Sequence, residues 1–278
     1  MNKDIKLVAL DLDRTTLNSE SHLSEVNRQA LIDAISNGVH VCIASGRAFD
    51  TLPEDIISVP GIEYAITSNG AAIYRIAGKE CLKSYLLTPS SVKTILNLTA
   101  NDTVTYEAFI KGQAFASTEY TAHPEKYGAT EHSLAYVRKT RILKDDIVSF
   151  ILEHCHELDS LDIVVGNEEL KKNIMDRIRN ATDEVYMTSS ISQLLEISYK
   201  DAGKKSGVKF LTEYLGLSRE NVAAFGDADN DTDMIEYAGT GIAMENAAPH
   251  LKQIADHITL HHDKDGVAYA FRNILNIC

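Results

Sequence analysis

Cysteine is sparse in this chain: four residues in 278, at positions 42, 81, 155 and 278, with no close pairing. That spacing excludes a disulfide-stapled secreted domain and a thiolate zinc site. Cys42 lies inside the apolar run Val39-His-Val-Cys-Ile-Ala and reads as a small core hydrophobe, so a reducing cytoplasm is the expected setting. No apolar stretch approaches the ~20 residues of a membrane span, and no membrane partner is expected. Basic residues are outnumbered, 27 Lys and Arg against 40 Asp and Glu, leaving a net charge of −13. A nucleic-acid partner needs a basic surface to neutralise phosphates, and none is expected here. Neither internal repeats nor low-complexity tracts interrupt the chain. Its start, Met1-Asn-Lys-Asp-Ile-Lys, leads straight into an apolar run, so no signal peptide is expected.

What is present is an ordinary globular composition, 44% apolar and 24% charged, on a length that favours two modest domains. Residues 5–10 form a short continuous apolar run, which predicts a buried strand. Helical spacing follows up to Ile35, with Ser24 as N-cap and Gly38 as stop. Residues 39–44 predict a second strand ending at Ser45-Gly46-Arg47, and residues 61–67 a third ending at Ser68-Asn69-Gly70. Strands alternating with helices predict an α/β fold with a doubly wound parallel sheet.

Between Leu82 and Glu196 the texture changes. Helical stretches at 90–98 and 144–156 mix with alternating strands such as 135–138 and 161–165, and the polar strand tips disappear. This segment, 82–196, reads as a domain inserted into a core made of 1–81 and 197–278, with residues 193–199 as the strand leading back. The alternating scheme then resumes. A helix is expected over 204–215, a strand over 221–225, a helix over 233–237, a strand over 240–244 and a helix over 248–255.

The most informative pattern is a duplication. Lys6-Leu-Val-Ala-Leu ends abruptly in Asp11 and Asp13, and Val222-Ala-Ala-Phe-Gly226 ends in Asp227, Asp229 and Asp231. In open parallel sheets ligands bind beyond the carboxyl ends of the strands. Two strands delivering carboxylates to one such edge predict a site for a hard cation, Mg²⁺, which suits phosphate.

These residues resemble the motifs of the haloacid dehalogenase superfamily. Asp11-Leu-Asp13-Arg-Thr15 is similar to its first motif, Ser45-Gly46-Arg47 to its second, Lys204 to its third and Gly226-Asp227-Ala-Asp-Asn230-Asp231 to its fourth. They occur in the family's order and span the chain. Ser68-Asn-Gly-Ala and Asp265-Gly-Val-Ala resemble the Cof-type subgroup of sugar-phosphate phosphatases. The resemblance implies a Rossmann-like core carrying an inserted α+β cap of the C2B variety, because the insert falls between the second and third motifs. It also implies Mg²⁺ held by Asp11, Asp227 and the backbone carbonyl of Asp13. Asp231 would ligate the ion or orient water on it.

Residue chemistry agrees with the implied roles. A carboxylate can attack phosphorus and split one displacement into two easier ones, and Asp11 stands first beyond the strand. Asp13, on the same side, suits general acid–base work. The plain alternative is that both acids merely cap a strand-to-loop turn. Lys204 is expected to neutralise phosphoryl oxygens, with Lys205 as neighbouring competitor and Lys209 as a solvated helix residue. Ser45 offers a hydroxyl, with the backbone N–H groups of Gly46 and Arg47 assisting. Asn230 reads as a hydrogen-bonding positioner. Arg47 has several roles open to it: reaching substrate, reaching the inserted domain, or making a structural ion pair. Asp229 and Asp233 read as solvated acids, and His261 and His262 as surface or loop residues.

One position departs from the Cof pattern, which usually has Gly where this chain has Arg14. Should the fold require positive φ there, arginine adds strain. In the insert, Lys111, Arg138, Lys139 and Arg141 read individually as solvated charges, with contact to a polyanionic substrate as the sharper alternative. Tyr106, Phe109, Tyr120, Tyr127 and Tyr136 read as core. The expected protein is a cytoplasmic, Mg²⁺-dependent phosphatase for small phosphate monoesters, sugar phosphates in particular, and a monomer or weak homo-oligomer. Its rivals are a phosphomutase of the phosphomannomutase type and a non-catalytic phosphometabolite-binding protein.

Overall fold

Short runs of apolar residues, buried along their length, make the inner strands of the first sheet, while its outermost strands are exposed. The computed structural model describes residues 4–129 and 131–278, and the side chains of these except 131–133. Clustering of contacts divides the chain into two units, one of residues 1–47, 52–83 and 203–278, the other of 48–51 and 84–202.

In the first unit the strand order is 257–258, 240–243, 222–226, 7–10, 40–44, 64–67, 72–75, 80–84. Leu7–Leu10 lies between Val222–Gly226 and His40–Ala44 and runs parallel to both. Its four residues are wholly buried, which is why the run is continuously apolar and not alternating. The parallel pairing continues through Tyr64–Thr67 on one side and Thr240–Ala243 on the other.

The sheet is not parallel throughout, as the strand–helix alternation had suggested. Ala72–Arg75 pairs antiparallel with Tyr64–Thr67. The reason is local: Asn69 at φ 51 and Gly70 at φ +88 turn the chain back within a few residues, too few for a crossover. The helix Glu25–Ser36 starts as its sequence predicts, with Ser24 accepting from the Asn27 N–H.

The second unit has a sheet ordered 185–188, 194–199, 160–164, 105–110, 113–117, 142–144. Its pairs are antiparallel except the last, Gln113–Ser117 with Ile142–Lys144. The helices Pro89–Thr99, Ile147–Glu153 and Glu168–Ala181 supply Val92, Ile95, Ile151, Ile174 and Ile178 to a core shared with Leu161, Ile163, Leu195 and Ile197 from the strands. Leu194–Tyr199 belongs wholly to this sheet. The chain therefore leaves the unit after Ala202, beyond the 196/197 boundary expected from sequence.

Two expectations about the insert fail. Residues 135–138 lie within a helix, Glu131–Thr140, and not a strand. Among its described side chains Leu134 and Val137 are the buried ones, three residues apart, while Ala135 is exposed, so the period is helical. Arg141 is not a solvated charge. It lies buried against Glu107 at 2.6 Å. Glu107, Asp162 and Glu196 stand side by side, buried, across three adjacent strands. Tyr106, Phe109, Tyr120 and Tyr127 are core residues as expected, and Tyr136 is half-buried with the Arg141 guanidinium over its ring.

Candidate active site

Six strands of the first unit run parallel, and polar tips gather at the edge where they end. Asp11 follows Leu10 directly, and its N–H donates to the Phe225 carbonyl. Parallel register sets Leu10 beside Phe225 and Ile43, so the tips after residues 10, 44 and 226 come level.

Lys204 is the centre of the cluster. Its side chain is completely buried, and Nζ donates to Asp11 Oδ1 at 2.7 Å and Asp231 Oδ1 at 2.6 Å. Burial alone disfavours its ammonium, but Asp11 and Asp231 outweigh burial and raise the pKa. The lysine opens the helix Lys204–Tyr214, whose N-cap is Gly203 at φ 122. No side chain fits at Gly70, because a Cβ there would stand 1.9 Å from the Gly203 carbonyl oxygen. Close backbone approach between these glycines is what sets Lys204 at the strand tips. Lys205 is on the exposed side.

Asp231 is held by the backbone. Its Oδ2 accepts from the N–H groups of Asp227 at 2.8 Å and Ala228 at 3.0 Å. A Cβ on Gly226 would fall 2.4 Å from that carboxyl carbon, so the motif glycine makes room for the acid beside it. Asn230 is buried and donates through Nδ2 to Asn69 Oδ1 at 2.9 Å.

Asp227 differs from its neighbours in having only loose partners. Thr15 Oγ1 stands 3.4 Å from Oδ1, while Asn246 Nδ2 at 3.4 Å and Arg14 Nε at 3.7 Å approach Oδ2. Burial, helped by Asp231, pushes its carboxyl up to about 7. Asp11 is raised well above the usual carboxylate range, by burial first and by Asp231 and Asp227 next, against the pull of Lys204. Three buried acids facing one buried ammonium, with the Arg14 guanidinium only loosely on Asp227, leave the cluster short of positive charge. Oxygens of Asp11, Asp227 and Asp231 lie within 4.8 Å of one another. Hard oxygen donors, this spacing and this charge deficit fit a divalent cation.

The other predicted positions divide. Asp13 is half-exposed and is gripped by Arg47, whose Nε and Nη2 reach its two oxygens at 2.8 and 2.6 Å. Ser45 is buried at the end of its strand, and its Oγ accepts the Arg47 N–H at 3.2 Å. Arg14 has φ 61, so the positive φ that sequence alone left conditional is present. An arginine in that region costs on the order of 1 kcal/mol relative to glycine.

Two expectations are corrected. Asp233 is not a solvated acid: Oδ2 accepts the Lys205 N–H at 3.2 Å, Oδ1 is buried without a partner, and burial raises the carboxyl to about 6. His262 is buried, with Nδ1 3.0 Å from the Leu17 carbonyl oxygen. The expectation for His261, Asp229 and Lys209 as surface groups agrees with their exposure.

Asn246 is the position that sequence reasoning overlooked. Its Nδ2 donates to the Arg14 carbonyl at 2.8 Å and approaches Asp227, and its Oδ1 accepts the His262 N–H. The signal was available: Met244-Glu-Asn246 is the polar tip of the strand Thr240–Ala243, the same feature used for the other motifs.

An α/β sheet whose strand tips bring carboxylates and a buried lysine together defines a class of phosphoryl-transfer hydrolases. The sequence profile of the haloacid dehalogenase-like hydrolases matches residues 8–271, and the chain belongs to that family. It is similar to the 5-amino-6-(5-phospho-D-ribitylamino)uracil phosphatase YcsE of Bacillus subtilis, 28% identical over 97% of this chain and 96% of that protein. It is similar also to the phosphatase YwpJ of the same organism, 31% identical over 98% of this chain and 100% of that one. Among solved structures, a haloacid dehalogenase-like hydrolase from B. subtilis superposes with a TM-score of 0.83, at 27% identity over 98% of this chain and 100% of that one. The subclass IIB sugar phosphatase BT4131 shares the fold, with a TM-score of 0.82 at 20% identity over 98% of this chain and 100% of that one. The protein is thus a phosphatase, a phosphoric monoester hydrolase acting on small phosphate esters. The family generally uses a divalent metal, and the acidic triad is this chain's candidate for holding it. No helix among the described residues is long and apolar enough to cross a membrane.

Proposed function

We propose that this protein is a Mg²⁺-dependent phosphatase that hydrolyses monoesters of sugars or sugar alcohols through an aspartyl-phosphate on Asp11. The observation that carries this reading is Lys204 Nζ bridging Asp11 and Asp231 inside a cluster of three buried acids whose oxygens lie close together. The name of the relative YcsE, a phosphatase of a phosphoribityl compound, supports the substrate class.

Asp11, Asp227 and Asp231, with the Asp13 carbonyl that the family resemblance implies, would hold Mg²⁺, which would supply charge neutralisation between the nucleophile and the phosphate. Asp11 attacks phosphorus through the carboxylate oxygen that Lys204 leaves unbonded, and the ester oxygen leaves. Asp13 gives that oxygen a proton, then takes one from the water that cleaves the acyl phosphate. Lys204 neutralises charge on the transferred oxygens, and its attachment to Asp231 keeps it from folding onto Asp11 alone. Ser45 Oγ and the N–H groups after it cradle the phosphate, and Asn230 braces Asn69. Arg47 must release at least one Asp13 oxygen before Asp13 can carry a proton. The second unit acts as the C2B cap that selects the organic part of the substrate, and the cytoplasm is its place of work.

The test is hydrolysis of p-nitrophenyl phosphate and a panel of sugar and polyol phosphates, with Mg²⁺ and with EDTA, by the parent chain and Asp11→Asn. Turnover is expected only with metal, and Asp11→Asn is expected to lose at least about a thousandfold. Metal-independent turnover, or an active Asp11→Asn, contradicts the mechanism. Mannose 6-phosphate separates a phosphatase, which frees phosphate, from a mutase, which yields mannose 1-phosphate.

A further inference from the structure

Arg14 occupies the turn out of the first strand in a left-handed conformation, φ 61 and ψ 15. Its carbonyl is pinned by Asn246 Nδ2 at 2.8 Å, and the same nitrogen lies 3.4 Å from Asp227 Oδ2. From this fixed backbone the guanidinium reaches Oδ2 itself, with Nε at 3.7 Å, while 64% of the side chain stays exposed to solvent. Lys204 is spoken for by Asp11 and Asp231. Asp227 therefore has a second cation of its own, arriving from the solvent side and anchored by a loop that also contacts the acid.

We propose that Arg14 is a tethered, displaceable counter-ion that shares Asp227 with the divalent metal, weakening metal binding and tying occupancy to the metal supply. The inference rests on the metal reading of Asp11, Asp227 and Asp231. A divalent ion seated on Asp227 would share that carboxylate with the guanidinium. It must either push Arg14 off or bind beside its charge, and either outcome lowers affinity. Arginine suits the task because its charge persists at every working pH and its guanidinium is weakly hydrated. The contact is loose and exposed, so the effect is moderate and salt-sensitive. Asn246 fixes the competition in place by holding the Arg14 backbone and the carboxylate together.

The experiment measures Mn²⁺ binding to the whole protein by electron paramagnetic resonance of the free ion, with Mg²⁺ as competitor and no substrate present. Arg14→Asn and Arg14→Gln remove the charge, asparagine also tolerating the left-handed backbone; Arg14→Lys keeps it. Both neutral variants are expected to bind Mn²⁺ and Mg²⁺ roughly threefold to tenfold more tightly at low salt, with the gap narrowing at high salt. Arg14→Lys should stay within about twofold of the parent. Circular dichroism checks that the variants are folded. Neutral variants that bind metal as the parent does, or more weakly, overturn the role of Arg14 and leave the metal site standing. Absence of saturable binding in the parent and in every variant overturns the metal reading and the Arg14 role together.

Discussion

Arg47 grips Asp13 with two nearly parallel hydrogen bonds, Nε to Oδ2 at 2.8 Å and Nη2 to Oδ1 at 2.6 Å. Both residues are strand-tip positions, one after the first strand and one after its parallel neighbour. The geometry is the bidentate fork that only arginine makes. It aims the Asp13 carboxylate, and it also engages both oxygens through which that group would exchange protons in the proposed mechanism.

Replacing the fork with a point charge should therefore loosen Asp13 without removing the cation. Arg47→Lys is expected to lower kcat about tenfold on sugar phosphates, with KM changing less than threefold. Steady-state kinetics decide the matter. A rise in KM at unchanged kcat would assign Arg47 to substrate and not to Asp13.

Lys204 and Lys205 are adjacent yet unequal. Lys204→Met deletes the buried partner of Asp11 and Asp231, so activity should fall at least about a hundredfold and the metal-free protein lose roughly 3–5 kcal/mol. Lys205→Ala should leave both within a factor of about two, since its side chain is exposed. Urea unfolding in EDTA, together with the phosphatase assay, tests the pair.

The raised carboxyl of Asp227 makes metal-free stability depend on pH. Its folded value of about 7, against an ordinary 3.8, means that the folded protein binds more protons than the unfolded chain between those limits. Stability in EDTA should be highest near pH 4 as far as this group is concerned, and should fall as pH rises toward 7. Stabilisation by added Mg²⁺ should grow over the same range, because the ion needs the carboxylate form. Asp227→Asn should flatten the first trend and abolish most of the second. Thermal midpoints across pH, with and without Mg²⁺, measure both.

In the second unit, the row Glu107, Asp162 and Glu196 has Arg141 as a buried counter-charge on Glu107. Asp162 is raised well above the ordinary range, by burial first and by Glu196 and Glu107 next. Asp162→Asn removes a disfavoured charge at constant shape, so at pH 8 it should be neutral or stabilising. Arg141→Met strands Glu107 and should cost about 3–5 kcal/mol. Chemical denaturation of both variants gives the comparison; an Asp162→Asn protein weaker than parent at pH 8 would count against this account.

Residue order by itself determined a good deal. Continuous apolar runs ending in polar tips specified strands buried on both faces, and hence an α/β sheet with its chemistry at one edge. Asp11, Asp13, Asp227, Asp231 and Lys204 were legible because each follows such a run or opens a helix after one. The expectation of a strand at 135–138 failed because four residues cannot separate a period of 2 from 3.6. Asn246 was passed over because one asparagine after a strand has no signature of its own.

Tertiary structure decided everything that depends on which residues face one another across tens to hundreds of positions. Only folding sets Asp11, 193 residues away in the chain, on Lys204. It alone buries Arg141 on Glu107, pairs Asp13 with Arg47 and Arg14 with Asp227, and leaves Asp233 with one buried oxygen unpartnered. The physical reason is that hydrophobic periodicity encodes local conformation and the buried face. The charge balance of a site comes instead from long-range packing, which brings strand tips and helix starts within hydrogen-bonding distance.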